Sequence, residues 1–164
     1  MPANSLNRET LRDALATLLA AGLVGTGLPA DAVYNHLRGD LAGSDGTMPL
    51  SVVMIDAGPI TRQRESFDSA WGVPEVRLDL VVLVLYSSDD ATETAPATWT
   101  EADCADRADL IEKTIADVLM DNYGAISGAE FVTYAGPTVP DFVAIGGRMY
   151  KREIIPLKGV TNHG

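Results

Sequence analysis

At 164 residues the chain has the size of one domain, long enough to bury about two-thirds of its unfolded surface in a single core. Its 12 basic residues face 23 acidic ones, and the formal net charge of −11 excludes broad attraction to nucleic-acid phosphates or anionic lipid, and with it a DNA-clamping surface. No stretch reaches the roughly 20 consecutive apolar residues of a membrane span, the first residues lack the pattern of a secretory signal, and the lone Cys104 permits neither an internal disulfide nor a cysteine-rich zinc site, so a soluble, non-exported protein with no membrane partner is expected.

The first predicted element is a helix over 6–21, where Leu11, Ala14, Leu15, Leu18 and Leu19 recur at three- and four-residue steps. Asn7 or Ser5 can cap its start, and Gly22 is expected to end it in the left-handed conformation. Gly25, Gly27 and Pro29 keep the next residues irregular, and as they follow a helix they lack the context of a phosphate-binding loop. A short extended piece is expected over 33–37, then a turn-rich run with Gly39, Gly43 and Gly46, then a full strand over 50–55.

Residues 59–75 read as a projecting loop, too long for a tight hairpin, with Arg62, Arg64, Glu65 and Asp68 set among Phe67 and Trp71. The strongest strand signal follows over 76–86. It alternates at Arg77 and Asp79, then runs from Leu80 to Leu85 without a polar residue, so its second half should be covered on both faces. A second projecting loop is expected over 87–100, acidic through Asp89, Asp90 and Glu93. Thr100 and Asp103 then have capping-box spacing, and Ala108, Ile111, Ile115, Val118 and Leu119 make the stripe of a second helix reaching about residue 122, with Gly124 as its stop.

Two further strands are expected over 130–135 and 148–157, separated by a loop holding Pro137, Pro140, Gly146 and Gly147, and Pro156 points to a sheet edge or bulge. The order lacks the regular alternation of a parallel α/β sheet. It predicts a single α+β domain, residues 1–164, with two helices packed on one face of a mainly antiparallel sheet of four or five strands.

The search for chemistry is thin. His36 and His163 form no ligand pair, and no nucleophile motif surrounds Cys104, whose ordinary role is a small buried side chain. Asp89 and Asp90, or Glu101, Asp103 and Asp106, are carboxylates that hard cations favour, but a solvated loop and helix face account for them. No catalytic residue, cofactor or metal is therefore expected. Arg148 and Arg152 fall on one face of their strand and Lys151 on the other, where they pair with acids of this chain or of a neighbour. Trp71 and Trp99 suit either an anchor for a second protein surface or a fold back onto the domain's own core.

Residues 32–43, with Tyr34, His36, Arg38 and Asp40 ahead of Gly43, followed by 49–58, with Val52, Val53, Met54 and Ile55 ahead of Gly58, resemble the early part of tail terminator proteins of long-tailed bacteriophages. The wider plan is similar too: a short helix, a strand, a polar loop, an apolar strand ending at Tyr86, a helix, and a closing strand. The resemblance implies a structural virion protein, not an enzyme. It implies a homohexamer ring that caps the tail tube at its head-proximal end, stops tube growth and meets the head-tail connector or neck, with the host cytoplasm as its place of assembly. Arg62, Arg64, Phe67, Trp71, Trp99, Arg148, Lys151 and Arg152 are then candidate contacts with neighbouring subunits or partners. Asp89, Asp90 and Glu93 are candidates for an acidic channel that DNA slides through by repulsion. The insert over 44–48 and the acidic loop depart from the family's pattern. A tail completion or head-tail joining protein shares the same features, and a small enzyme or ligand-binding domain built on Cys104, His36 and the carboxylates is the reading from another class.

Overall fold

The structure, a computed structural model, describes residues 6–42, 48–61, 74–86 and 100–160. Helix α1 spans Arg8–Leu23 and α2 spans Glu101–Asp121. The strands are β1 (Ala32–Tyr34), β2 (Ser51–Thr61), β3 (Glu75–Leu85), β4 (Phe131–Tyr134), β5 (Val139–Ile145) and β6 (Arg148–Val160). The α+β class follows directly. Among the described residues the sheet has six strands against the four or five expected, and it is mixed and curled, because β1 joins β2 in parallel while every other pairing of these strands is antiparallel, as a mainly antiparallel sheet requires.

The side-chain oxygen of Asn7 accepts from the Thr10 amide at 3.0 Å, which satisfies one of the free donors at the start of α1. The helix then buries Leu11, Leu15, Leu19 and Leu23, four residues apart along one face. Gly22 is not its terminator. It lies inside the last turn, where an added Cβ would come within 2.9 Å of Val118 on α2, so its missing side chain permits the approach of the two helices; Val24, in an extended conformation, is the cap.

At the start of α2 the capping box is complete. Asp103 accepts from the Thr100 amide at 2.8 Å, and Thr100 Oγ1 accepts from the Asp103 amide at 3.2 Å. The helix buries Cys104, Ala108, Ile111, Ile115 and Leu119. Thr100→Ala should lower stability by about 1 kcal/mol in urea unfolding, with an unchanged denaturant slope. A loss too small to measure would show that water replaces the cap without penalty.

Both helices pack with one face of the sheet, made of Val53 and Ile55 on β2, alternate residues from Val76 to Val84 on β3, and Ile155 and Leu157 on β6. The opposite face holds a second cluster of Leu41, Val52, Met54, Leu83, Leu85 and Tyr150, with Val143 and Ile145 of β5 against it. Val82, Leu83, Val84 and Leu85 are therefore all buried, as an uninterrupted apolar run requires.

Three boundaries differ from expectation. Strand β2 continues to Thr61, and a register shift between Ala57 and Ile60 absorbs Gly58 and Pro59, so the part of the expected 59–75 loop that is described is strand at both ends. Residues 139–145, expected as loop, form β5. It closes onto β6 through Gly146 and Gly147, whose φ angles of 59° and 77° are those of a two-residue type I′ hairpin turn. Its one proline, Pro140, is compatible with a strand because among the described residues β5 is an edge, where a missing donor breaks no outer ladder.

The third is β6, which reaches Val160 and lies inside the sheet, so Pro156 is not at an edge. Along one side β6 pairs with β3; along the other, β4 and β5 lie end to end, interrupted between Tyr134 and Val139. Pro156 sits opposite that interruption. Its carbonyl accepts from the Ala135 amide at 2.8 Å, so its nitrogen, which has no hydrogen to donate, also faces the gap in the ladder.

Buried Ser51 ties the layers together: its hydroxyl donates to the Pro29 carbonyl at 2.7 Å and accepts from Arg107 of α2 at 3.4 Å. Asp31 accepts from the amides of Leu50 and Ser51 at 2.7 and 3.2 Å, fixing the turn that precedes β1 against the start of β2.

Candidate assembly surface

Of the candidate contact residues, Arg62, Arg64, Phe67, Trp71 and Trp99 lie outside the described residues, as do Asp89, Asp90 and Glu93. The basic cluster of β6 is described. Arg152 donates to both carboxylate oxygens of Asp141, directly across the β5–β6 pair, at 2.8 and 2.5 Å. The ion pair is internal, and it holds the Asp141 carboxyl below the ordinary carboxylate value, chiefly through the Arg152 hydrogen bond. Lys151, on the other face, is opposite Phe142 on one side and Val84 on the other. Arg148 opens β6 beside Ile145 at the hairpin turn.

Cys104 and His36, the residues weighed for catalysis, lie in different settings, one in the core and one at the surface. Cys104 is fully buried, its thiol directed at the Val84 carbonyl at 3.8 Å, and burial raises its pKa, so the reactive thiolate is disfavoured. His36 is exposed, and its Nδ1 lies 2.7 Å from Asn35 Oδ1, while Asn35 in turn donates to Asp13 at 2.6 Å. Among the described residues no group of His, Cys, Asp and Glu is placed to hold a metal ion, and no helix is long and apolar enough to cross a membrane.

Two concavities flank the segment after β1. One, of about 590 Å³, lies between the start of α1 and β2 and is lined by Asn7, Arg8, Glu9, Arg12, His36 and Asp56. The other, of about 400 Å³, is a groove on the sheet face opposite the helices. Its floor is Met54, Val81, Leu83, Val143 and Ile154, its rim is Leu37, Arg38 and Gly39, and Asp56, Asp79 and Arg152 supply its charge.

Sequence reasoning did not single out Asp56 and Asp79, which β2 and β3 place directly opposite each other. Like charges in that position repel. The Asp79 carboxyl is raised above its ordinary value by burial first and by Asp56 second, with Arg77 acting in the other direction. A carboxyl whose pKa is raised on folding favours the native state only while protonated; that contribution is present below about pH 4 and is lost as pH rises through the higher folded value. Asp79→Asn should therefore stabilise the chain at neutral pH, by about 0.5 kcal/mol for a pair this exposed, and should flatten the pH dependence of melting on the acid side. A lower melting temperature at neutral pH would show that the carboxylate makes a favourable contact instead.

The surface has other exposed apolar groups. Val139 and Phe142 of edge strand β5 are 52% and 56% exposed, and Phe142 meets Tyr86 edge-on at 4.8 Å between ring centroids. Among the described residues no strand pairs with the outer side of β5. No protein-family model matches the sequence, and a search of curated proteins finds no match.

Proposed function

We propose that this chain is a structural subunit of a bacteriophage tail, a tail terminator that assembles as a ring at the head-proximal end of the tail tube, halts tube growth and joins the neck. The observation that carries the reading is the surface that no described element covers: one sheet face is sealed by both helices, while among the described residues the other keeps an open groove lined by Asp56, Asp79, Arg38 and Arg152 beside an edge strand with exposed Val139 and Phe142. Surfaces of that kind suit contacts between copies. The succession of helix, strand, long apolar strand ending beside Tyr86, second helix and closing strand is compatible with the plan of the family that the sequence resembles.

In this reading the ring is a hexamer. Its partners are further copies, the tail tube protein and the head-tail connector or neck protein, and its place is the virion tail or neck after assembly in the host cytoplasm. DNA passes through it as a repelled polymer, in keeping with a net charge of −11. The reading assigns the chain no catalysis.

The test is sedimentation and electron microscopy of the purified chain, alone and mixed with tail tubes. Annular particles and capped tube ends are the expected result. Compact monomers only, even with tubes present, would refute the proposal; rings seated elsewhere in the neck would identify a tail completion or joining subunit.

A further inference from the structure

We infer that the outer edge of β5 pairs antiparallel with β5 of a second copy, about a two-fold axis at Phe142, so that one sheet runs across two chains. The contact goes beyond the ring reading: a two-fold contact closes on two copies, and a ring needs a second, different surface.

The bonds of β6 fix which backbone groups of β5 point outward. The Tyr86 amide donates to the Met149 carbonyl at 3.0 Å, so Met149 turns its backbone toward β3, and alternation turns Tyr150, Arg152 and Ile154 toward β5. Their partners Val143, Asp141 and Val139 therefore bond inward, and Pro140, Phe142 and Ala144 turn their backbone groups to the outer side. Among the described residues no strand takes those groups up. Sheet edges are ordinarily blunted by lysine, proline or a bulge; β5 has only Pro140, near one end, and the apolar run from Phe142 to Ile145 is left unguarded.

A second copy of β5 fits that pattern. With Phe142 opposite its counterpart, the two residues exchange both bonds, and each Ala144 amide meets the Pro140 carbonyl of the other copy, so every outward N–H has an acceptor although Pro140 has no hydrogen to donate. Sliding the register one way sets Asp141 against its counterpart, two like charges; sliding it the other way sets Phe142 against Ala144. In the chosen register the Phe142 rings, each 56% exposed, become cross-strand neighbours, and because each already meets Tyr86 edge-on, the aromatic rings of both copies form one row. Charge agrees. The chain carries a net −11, but the one charged side chain of β5, Asp141, is neutralised by Arg152, so two copies can meet here without like charges opposed.

The experiment sediments the full-length chain over a series of concentrations. Phe142→Lys should weaken pairing about ten-fold without lowering the melting temperature of the dilute, separated chain, and Ala144→Pro, which removes an outward N–H and no inward one, should weaken it at least as much. In parallel, Phe142→Cys under mild oxidation should form a disulfide between two chains several-fold faster than Met120→Cys on α2, although Met120 is the more exposed at 76%; Cys104 is buried and stays out of the exchange. If the wild-type chain associates, both edge variants associate equally well, and Phe142→Cys cross-links no faster than Met120→Cys, the pairing is overturned and any ring is built on other surfaces. If the wild-type chain alone stays monomeric at every concentration yet caps tail tubes, the pairing falls and the ring reading stands; if it does neither, both fall.

Discussion

Gly128→Ala is expected to destabilise the chain by about 3 kcal/mol, combining a left-handed backbone with overpacking against main chain. Gly128 has φ 95°, and an added Cβ would stand 2.6 Å from the Leu11 nitrogen and 2.9 Å from the Asn7 carbonyl oxygen. Neither neighbour is a flexible side-chain end. The Gly128 carbonyl also accepts from the Asn7 amide at 3.1 Å, so this glycine fastens the start of α1 to the turn that leads into β4. Urea unfolding followed by circular dichroism reads the loss. A decrease of less than about 1 kcal/mol would mean that the turn separates from α1 without disturbing the core.

Tyr150→Ala should cost about 3–5 kcal/mol, whereas Tyr150→Phe should cost only about 1 kcal/mol. Tyr150 is fully buried at the centre of the second cluster, and its hydroxyl donates to the Pro49 carbonyl at 3.0 Å. Removing the ring empties space within that cluster, while removing the oxygen alone leaves the Pro49 carbonyl without that donor.

The same side chain sets an alkaline limit. Burial pushes the Tyr150 phenol up to about 12, with Arg148 opposing and Asp31 adding to the shift, and Tyr134 is likewise pushed up to about 12 by burial and by Glu112, to which it donates at 3.3 Å. A pKa raised on folding gives stability that is complete below the unfolded value of about 10 and is lost as pH rises through the folded one. Phenolate absorbance should therefore show these two tyrosines ionising late and together with unfolding, and Tyr150→Phe should soften that alkaline transition. Ionisation of every tyrosine near the ordinary value in a still-folded chain would contradict it.

The helices were legible because periodicity and caps agree: Leu11, Leu15 and Leu19 mark one face, and Thr100 with Asp103 announces the second start. The apolar run of β3 likewise foretold burial on both sides. Strand β5 was hidden by its own punctuation, since Pro137, Pro140 and the Gly146–Gly147 pair suggest a loop. The unbroken apolar run from Phe142 to Ile145 directly before a two-glycine turn was the signal that could have revealed it. The groove was not legible at all. Asp56 and Asp79 belong to different strands, and only the β2–β3 register, shifted lower down by the bulge at Gly58 and Pro59, sets one carboxylate against the other.

The position of β6 also bears on how the chain is made. β3, its most apolar strand, is matched residue by residue from Glu75 with Val160 to Leu85 with Tyr150. During synthesis β3 therefore leaves the ribosome long before its main partner, and until residues 148–160 arrive one of its edges stands open to other nascent chains. Expression at lower temperature, or with a holdase present, should accordingly raise the soluble yield more than any change to the helices does.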